Sequence, residues 1–261
     1  MPSSFDLHFT ADSRNQKALD VQDTLIHNYG QVSIEDAEII VALGGDGFML
    51  HTLHNAMDLN KPVFGLNFGH HGFLMNTFDG SALKKRIEEA ISVEISPLKM
   101  VAKYCNPENG KLNETFYALN EVSLLRQLHQ AARLRIHVDD HCRLNEFTGD
   151  GVLVATAAGS TAYNFSASGP ILPLTSNLMA MTPISPFRPK RWGGALLPDD
   201  VRITIEVLEP EKRPVSVTAD YQEARHICAV DICKAKSKSV TILYDSHQSL
   251  ADRLINEQFA F

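Results

Sequence analysis

An apolar run that ends in a glycine-rich turn is the feature that most constrains how this chain can fold. The run EIIVAL, residues 38–43, is continuous and β-branched, which is typical of a strand covered on both faces. Gly-Gly-Asp-Gly follows at 44–47, and apolar residues then recur at helical spacing up to Met57. This strand–turn–helix unit predicts a parallel sheet whose ligand-binding edge lies where the strand ends.

Alternating strand and helix patterns run through residues 1–97 and predict an α/β domain with a parallel, Rossmann-like sheet. Strand patterns occupy 5–9, 38–43 and 62–68, and helical patterns occupy 13–29, 47–57 and 82–91.

Residues 98–246 predict a second domain that is all-β, antiparallel and sandwich-like, because short turns separate most of its strand patterns. These patterns cover 115–126, 133–140, 142–147, 150–156, 201–208, 214–220, 226–232 and 239–244. The Pro-rich segment between Pro170 and Pro198 predicts an irregular, functional connection. Helical spacing in 247–261 predicts a C-terminal helix that docks back on the first domain.

Composition and charge exclude several classes of protein. The chain has 261 residues and a net charge of −7, which gives no general attraction to nucleic acid or to an anionic membrane. No apolar run approaches the ~20 residues of a membrane-spanning helix. Four cysteines without a Cys-x-x-Cys pair favour free thiols in a reducing cytosol, and the N-terminus lacks a signal-peptide pattern. We therefore expect a cytoplasmic protein without nucleic-acid or membrane partners.

Asp46 is the informative residue of the first glycine-rich turn. Glycines there admit an anion to backbone N–H groups and to the helix N-terminus, yet a carboxylate repels phosphate unless it has another task. The two tasks we consider are taking a proton from an attacking hydroxyl and holding a metal. The alternative is that Asp46 merely caps the helix that starts near Gly47. These residues alone leave a cap and a catalyst about equally supported.

Two later stretches also indicate a ligand. Asn120 and Glu121 lie in the pattern LNEVSLLR, where consecutive strand residues point to opposite faces, so one of them breaks an apolar face. This indicates ligand contact, and an edge-strand polar pair is the open alternative. The stretch TGDGVLVATAAGSTAYNFSASGPILP, 148–173, clusters small and hydroxyl-bearing residues, which permit close backbone approach to a flat or anionic ligand.

Histidines do not complete a metal site in this sequence. His51 and His54, three residues apart on a predicted helix, are at most half of a zinc site. We therefore predict no metal ligands among the side chains.

Four motifs carry a resemblance to a known family. They are GGDG at 44–47, NFGHHGFL at 67–74, LNE at 119–121 and TGDG…ATAAGSTAYNFSASGP at 148–170. In this order they resemble the NAD kinase family of bacterial type. The resemblance implies transfer of the γ-phosphoryl group of ATP, or of another triphosphate or polyphosphate, to the 2′-hydroxyl of the adenosine ribose of NAD. It also implies NADP as product, Mg²⁺ held mainly through phosphates, and a homodimer or homotetramer.

The resemblance also implies roles for individual residues. Asp46 matches the general base of the family, with Gly47 beside it. The residues that match contacts to the substrates are Phe73, Asn120, Glu121, Asp150, Ala158, Thr161, Ala162, Tyr163, Asn164, Phe165 and Ser166. His51 and Gln222 are further candidates, for contact with phosphate and with NAD. This copy departs from the family at Phe48, where many members have Thr, and at His51, where Arg is frequent. TADYQE at 218–223 replaces a common Val-Asp-Gly.

Two other functions stay open on the sequence alone. A lipid or sphingoid kinase uses the same Gly-Gly-Asp loop on another acceptor, although this sequence has no extended apolar patch. A non-catalytic NAD-binding regulator would share the NAD-contacting residues, whereas the intact Asp46 favours an enzyme.

Overall fold

A computed structural model describes residues 5–69, 72–80, 82–105 and 112–247 of the chain. These residues fall into two compact units, which divide between Ile95 and Ser96 and again between Lys236 and Ser237. The expected C-terminal helix, 247–261, lies outside the described residues apart from its first position. None of the described helices is both long and apolar enough to cross a membrane.

The first unit alternates strands and helices along most of its length. Its strands are Leu7–Ala11 (β1), Ile39–Gly44 (β2), Val63–Asn67 (β3), Asn76–Thr77 (β4) and Ile91–Ile95 (β5). Its helices are Gln16–Tyr29 (α1), Asp46–Leu59 (α2) and Leu83–Glu88 (α3). Every residue of β2 is buried, which is why its sequence is continuously apolar rather than alternating.

The second unit consists mainly of strands. They are Leu98–Tyr104 (β6), Asn113–Ala118 (β7), Glu121–Arg126 (β8), Ala132–Val138 (β9), His141–Gly149 (β10), Gly151–Ala155 (β11), Leu178–Ile184 (β12), Ala195–Pro198 (β13), Ile203–Val207 (β14), Val215–Ala219 (β15), Gln222–Ala224 (β16) and Ile227–Lys234 (β17). A 3₁₀ turn spans Ala158–Thr161, and a single helical turn spans Tyr163–Ser166 (α4). The last described strand, Val240–Tyr244 (β18), belongs to the first unit.

The sheet of the first unit has the order β1-β2-β3-β18-β5, and β4 pairs with β3 beside this path. Strands β1, β2, β3 and β18 pair in parallel, which confirms the α/β prediction. β5 runs antiparallel to β18, so the sheet is mixed. The pattern at 239–244, expected in the second domain, therefore supplies a central strand of the first sheet.

The second unit contains two six-stranded sheets, β10-β9-β14-β17-β6-β7 and β13-β12-β11-β8-β15-β16. All the pairs within them are antiparallel, and one buried cluster includes residues from both sheets, such as Met100 and Ile136 from one and Val122 and Val154 from the other. The all-β, antiparallel, sandwich-like prediction is confirmed.

Two details of the expected strand pattern are wrong. The segment 115–126 is not one strand but two, β7 and β8, which lie in different sheets. The chain crosses from one sheet to the other at Leu119 and Asn120. The segment between Pro170 and Pro198 is not wholly irregular, because it contains the central strand β12 and the edge strand β13. The proline inside β12, Pro183, masked this strand in the sequence.

The expectation that all cysteines are free thiols is also wrong. Cys105 and Cys228 form a disulfide, with Cα atoms 4.9 Å apart and a sequence separation of 123. Cys105 follows β6, and Cys228 lies in β17, which pairs with β6. Long-range strand pairing, not a local motif, brings the two residues together. Cys142 and Cys233 are free.

Alkylation tests this assignment. In denaturant without reductant, iodoacetamide is expected to modify Cys142 and Cys233 only, because a disulfide sulfur offers no thiolate. Mass spectrometry should find modification at these two cysteines, and at all four after treatment with a dithiol. Modification of all four without reductant would contradict the disulfide.

Candidate functional site

The carboxylate of Asp46 joins two glycine-rich turns at the carboxyl end of the parallel strands. Asp46 is the first residue of α2 and follows the N-cap residue Gly45. One carboxylate oxygen accepts the backbone N–H of Phe73 at 2.8 Å, and the other accepts that of Leu74 at 3.1 Å. Gly45 holds the N-cap position of α2, so Asp46 lies one residue past the position that a capping side chain occupies. Its carboxylate instead fixes the start of the segment that follows the second turn.

The second glycine-rich turn is built around the side chain of Asn67. Its Oδ1 accepts the backbone N–H of Gly69 at 2.8 Å. A Cβ atom at Gly72 would lie 2.9 Å from Cγ of Asn67, so glycine is needed at this approach. His70 and His71 lie outside the described residues. The glycines of this turn therefore serve the packing of the chain on itself.

The first glycine-rich turn, residues 44–47, is closely packed at Gly44 and open at Gly47. The ring of Phe48 packs against Gly44, where a Cβ atom would lie 2.8 Å from the ring. A Cβ at Gly47 would meet no described atom within 4 Å, and His51 is exposed further along α2. The backbone at the start of α2 is thus open to an anion, which the helix N-terminus favours.

In the second unit, the corner between β7 and β8 presents Asn120 and Glu121. Glu121 begins β8, and Asn120 lies in the corner itself, so the prediction of two consecutive strand residues is wrong. Thr156 holds the corner: its N–H donates to the carbonyl oxygen of Asn120 at 2.9 Å, and its Oγ1 donates to that of Leu119 at 2.6 Å. A Cβ atom at Gly159 would lie 2.1 Å from the Asn120 oxygen, so this glycine permits the close approach.

Glu121 is a half-buried carboxylate whose hydrogen bonding is incomplete. The backbone N–H of Tyr163 favours the ionised form of its carboxylate, whereas its Oε2 atom is buried and has no hydrogen-bond partner among the described residues. Burial, and after it the charge of Asp220, raises the pKa of Glu121 to about 7. Burial also raises the pKa of Tyr163, as do the charges of Glu121 and Asp150. A perturbed carboxyl with an unmatched acceptor is characteristic of a binding or catalytic site.

The residues of the small-residue motif lie at different depths. Ala158 and Asn164 are buried, Thr161, Ala162 and Tyr163 are half-buried, and Phe165 and Ser166 are exposed.

The side-chain amide of Asn164 forms its hydrogen bonds within the chain. Its Nδ2 donates to the carbonyl oxygens of Ser160 at 3.1 Å and Pro170 at 2.9 Å, and its Oδ1 accepts the hydroxyl of Thr182 at 2.6 Å. The side chain is completely buried. Asn164 therefore stabilises the small-residue motif from its buried side.

Asp150 and Gln222 are less tightly tied to the corner. Asp150 pairs with Arg126, whose Nε lies 2.5 Å from its Oδ1. Gln222 is exposed at the start of the edge strand β16. The described contacts thus bring together Asp46 and Phe73 in one unit, and Asn120, Glu121 and Tyr163 in the other.

Sequence reasoning missed one residue of this site, Asp220. Its carboxylate accepts the backbone N–H groups of Leu119, Asn120 and Glu121. The only sequence signal was the unusual segment TADYQE, whose predicted contact residue is Gln222 and not the aspartate two residues earlier.

No group of three or more His, Cys, Asp or Glu side chains among the described residues is placed to hold a metal ion. Asp46 is a single carboxylate at the open turn. One carboxylate suits Mg²⁺, which protein sites commonly bind through one or two carboxylates together with substrate phosphates and water.

A pH-dependent gain in stability is expected when Glu121 is replaced by Gln. The folded-state pKa of Glu121 is raised, so its contribution to stability is fully present below the ordinary Glu pKa and is lost as the pH rises through about 7. Glu121→Gln removes this loss. Its free energy of unfolding, relative to that of the wild type, should therefore rise by roughly 2–3 kcal/mol from pH 5 to pH 8.5. Urea unfolding at both pH values measures it.

Glu146→Gln is the control for this experiment. Glu146 pairs with Arg133, which lowers its pKa, so its replacement should bring no gain in stability at high pH. A stability difference between Glu121→Gln and the wild type that does not change with pH would contradict the raised pKa.

Comparison with known proteins places this geometry in a family. The model of the ATP-NAD kinase N-terminal domain matches residues 3–95, and that of the ATP-NAD kinase C-terminal domain matches residues 112–243. The chain is 50% identical over 257 residues to the NAD kinase of Brucella suis biovar 1 (strain 1330), covering 98% of each. It is 49% identical over 249 residues to the NAD kinase of Xylella fastidiosa (strain Temecula1), covering 95% of this chain and 94% of that protein.

Two solved structures share the fold. The crystal structure of yeast NADH kinase complexed with NADH has a TM-score of 0.78 at 21% identity, covering 98% of this chain and 88% of that one. The crystal structure of an NAD kinase from Archaeoglobus fulgidus in complex with ATP has a TM-score of 0.73 at 21% identity, covering 98% of both. With the two domain models matched in order and half of the residues shared with the Brucella enzyme, the chain belongs to the ATP-NAD kinase family.

Proposed function

We propose that this chain is an NAD kinase, which transfers the γ-phosphoryl group of ATP to the 2′-hydroxyl of the adenosine ribose of NAD and forms NADP. The observation that carries the proposal is the buried Oε2 atom of Glu121, which has no hydrogen-bond partner among the described residues. Such an acceptor is suited to a donor that a ligand supplies, and a ribose hydroxyl is one. The names of the relatives, NAD kinase, support NAD rather than a lipid as the acceptor.

NAD binds, in this proposal, around the corner that carries Asn120 and Glu121. The ionised Glu121 accepts a ribose hydroxyl, Asn120 supplies an amide, and the half-buried Tyr163 lies beside them. Asn164 contributes by holding the motif in place. The further residues assigned to the dinucleotide are Asp150, Ala158, Thr161, Ala162, Phe165, Ser166 and Gln222.

The triphosphate of ATP binds at the open turn of the first unit. The N-terminus of α2 favours negative charge, and the space beside Gly47 admits a phosphate to the backbone. His51, exposed on α2, is assigned to contact with phosphate. Phe73, held through its backbone by Asp46, lines the nucleotide pocket.

Mg²⁺ is assigned to the phosphates, and the carboxylate of Asp46 is assigned to the 2′-hydroxyl. When bound, the ion neutralises charge on the phosphates, a requirement of phosphoryl transfer.

Asp46 acts as the general base. Its carboxylate takes the proton of the 2′-hydroxyl, the oxygen forms a bond to the γ-phosphorus, and the bond between this phosphorus and the bridging oxygen of ADP breaks. The backbone N–H groups of Phe73 and Leu74 fix the orientation of the carboxylate. Such positioning matters because phosphoryl transfer depends on alignment more than on covalent chemistry.

The assembly and location of the enzyme stay predictions. We propose a homodimer or homotetramer, which light scattering on the purified protein will measure, and a cytoplasmic location.

A coupled assay tests the proposed function. Purified protein is incubated with Mg²⁺, NAD and ATP, and an NADP-specific dehydrogenase reports NADP. We expect NADP to form with ATP or with another triphosphate or polyphosphate in its place. Parallel reactions with sphingosine or diacylglycerol should give no phosphorylated lipid.

Absence of NADP with every donor would overturn the proposal. Binding of NAD without any turnover would then identify a regulator, and a phosphorylated lipid would identify a lipid kinase.

Asp46→Asn is expected to lower kcat by about 10²–10⁴-fold, because a general base contributes on that scale. The KM for NAD should change little, since the residues assigned to NAD are intact. Steady-state kinetics and calorimetric titration with NAD measure both. Wild-type turnover with intact NAD binding would refute the role of Asp46 as the base.

Asp58→Asn is the matched control for this variant. Asp58 lies in the last turn of the same helix, where its carboxylate pairs with Lys238. The same substitution there should leave kcat unchanged. A loss of kcat in both variants would indicate damage to α2 rather than loss of a base.

A further inference from the structure

The turn between β15 and β16 holds the corner of the neighbouring strand through one side chain, Asp220. Its Oδ2 accepts the N–H of Leu119 at 2.7 Å, and its Oδ1 accepts those of Asn120 at 2.9 Å and Glu121 at 3.2 Å. In return, the backbone N–H of Asp220 donates to the carbonyl oxygen of Glu121 at 3.1 Å. Asp220 has a φ of +52°, in the left-handed region that Asp and Asn adopt more readily than most residues.

These hydrogen bonds provide acceptors for backbone N–H groups that the two sheets leave unpaired. The corner passes from one six-stranded sheet to the other, so its N–H groups need acceptors outside regular ladders. On the carbonyl side, Thr156 donates to Leu119 and Asn120. Asp220 therefore fixes the N–H groups of the corner, and Thr156 fixes its carbonyl groups.

We propose that Asp220 is a positioning residue for NAD binding, which aims Asn120 and Glu121 by clamping the three backbone N–H groups of their corner. This rests on the proposed function of the corner. Asp220 acts through the backbone of the two residues and not on the substrate.

The charge of Asp220 offers a way to separate this role from simple support of the fold. The groups that act on Glu121 are Asp220 from the β15–β16 turn and Tyr163 from α4, on which Asp150 acts in turn. Two like charges at close range oppose each other, so Asp220 disfavours the ionised form of Glu121. Removing this charge lowers the pKa of Glu121. Exposure of Glu121 to solvent would lower it too, so a variant that keeps the charge but displaces the oxygens, Asp220→Glu, separates the two effects.

Asp220→Asn is the test variant, and Asp139→Asn is its matched control. Asn tolerates a positive φ, but its amide offers one acceptor where the carboxylate offers two, so the clamp loses part of its bonds. Asp139 also has a positive φ, in the β9–β10 turn, and its Oδ1 accepts the N–H of Arg202 at 2.9 Å. The control thus repeats the substitution, the backbone conformation and the type of bond away from the corner.

We expect Asp220→Asn to raise the KM for NAD by about 10-fold or more, the scale of a lost hydrogen bond to a charged group. The KM for ATP should stay within about twofold of the wild type, because uniform loss of NAD binding leaves the donor unaffected. The rise in NAD affinity with pH, which follows ionisation of Glu121, should move to lower pH. Asp139→Asn should match the wild type in both KM values and in the pH profile.

A wild-type KM for NAD together with an unshifted pH profile in folded Asp220→Asn would overturn the proposal. Circular dichroism and thermal melting establish that the variant is folded. Should it fail to fold, Asp220→Glu keeps the charge but displaces the oxygens, and it should raise the KM for NAD without moving the pH profile. A wild-type KM for NAD in that variant would equally overturn the proposal.

The failure of this inference is distinguishable from failure of the proposed function. A wild-type protein that forms no NADP refutes the function, and calorimetric titration of wild type and Asp220→Asn with NAD then decides the positioning role alone. NADP formation by the wild type with unchanged NAD binding in Asp220→Asn refutes only the positioning role.

Discussion

Backbone N–H groups outside regular ladders must find acceptors, and carboxylates supply them at both places where substrates are proposed to bind. In the first unit, Asp46 accepts the N–H groups of Phe73 and Leu74 and so ties two glycine-rich turns together. In the second unit, Asp220 accepts three N–H groups of the β7–β8 corner. Charged acceptors make stronger hydrogen bonds than neutral ones, so each turn is held in one conformation before any ligand arrives.

The charge of Asp220 also lowers the stability of the fold, and this conflict points to function. Asp220 stabilises the backbone of the corner, yet its charge opposes the ionisation of the half-buried Glu121. A sequence selected for stability alone would place a neutral side chain at 121. The conflict resolves if a ligand hydroxyl donates to Oε2 of Glu121, because the ionised form then gains the partner that the described chain does not provide.

Local patterns predicted the fold class, and long-range pairing decided the details they missed. EIIVAL predicted β2 because burial on both faces leaves a continuous apolar run. The strand pattern at 239–244 carried no sign of which sheet would accept β18, since pairing with β3 joins segments far apart in sequence. Long-range pairing also decides the change of sheet at Leu119 and Asn120. It likewise decides the disulfide between Cys105 and Cys228.

The small-residue motif shows why the candidate site was predicted only in part. Small residues indicate that something approaches the backbone closely, but they do not say what. At Gly159 the close neighbour is the carbonyl oxygen of Asn120, and at Gly169 a Cβ would lie 2.2 Å from Oδ1 of Asn164. The chain itself therefore accounts for both glycines. The motif packs against the corner at Gly159. Asp220 escaped the sequence interpretation because its partners are backbone N–H groups, which no side-chain pattern records.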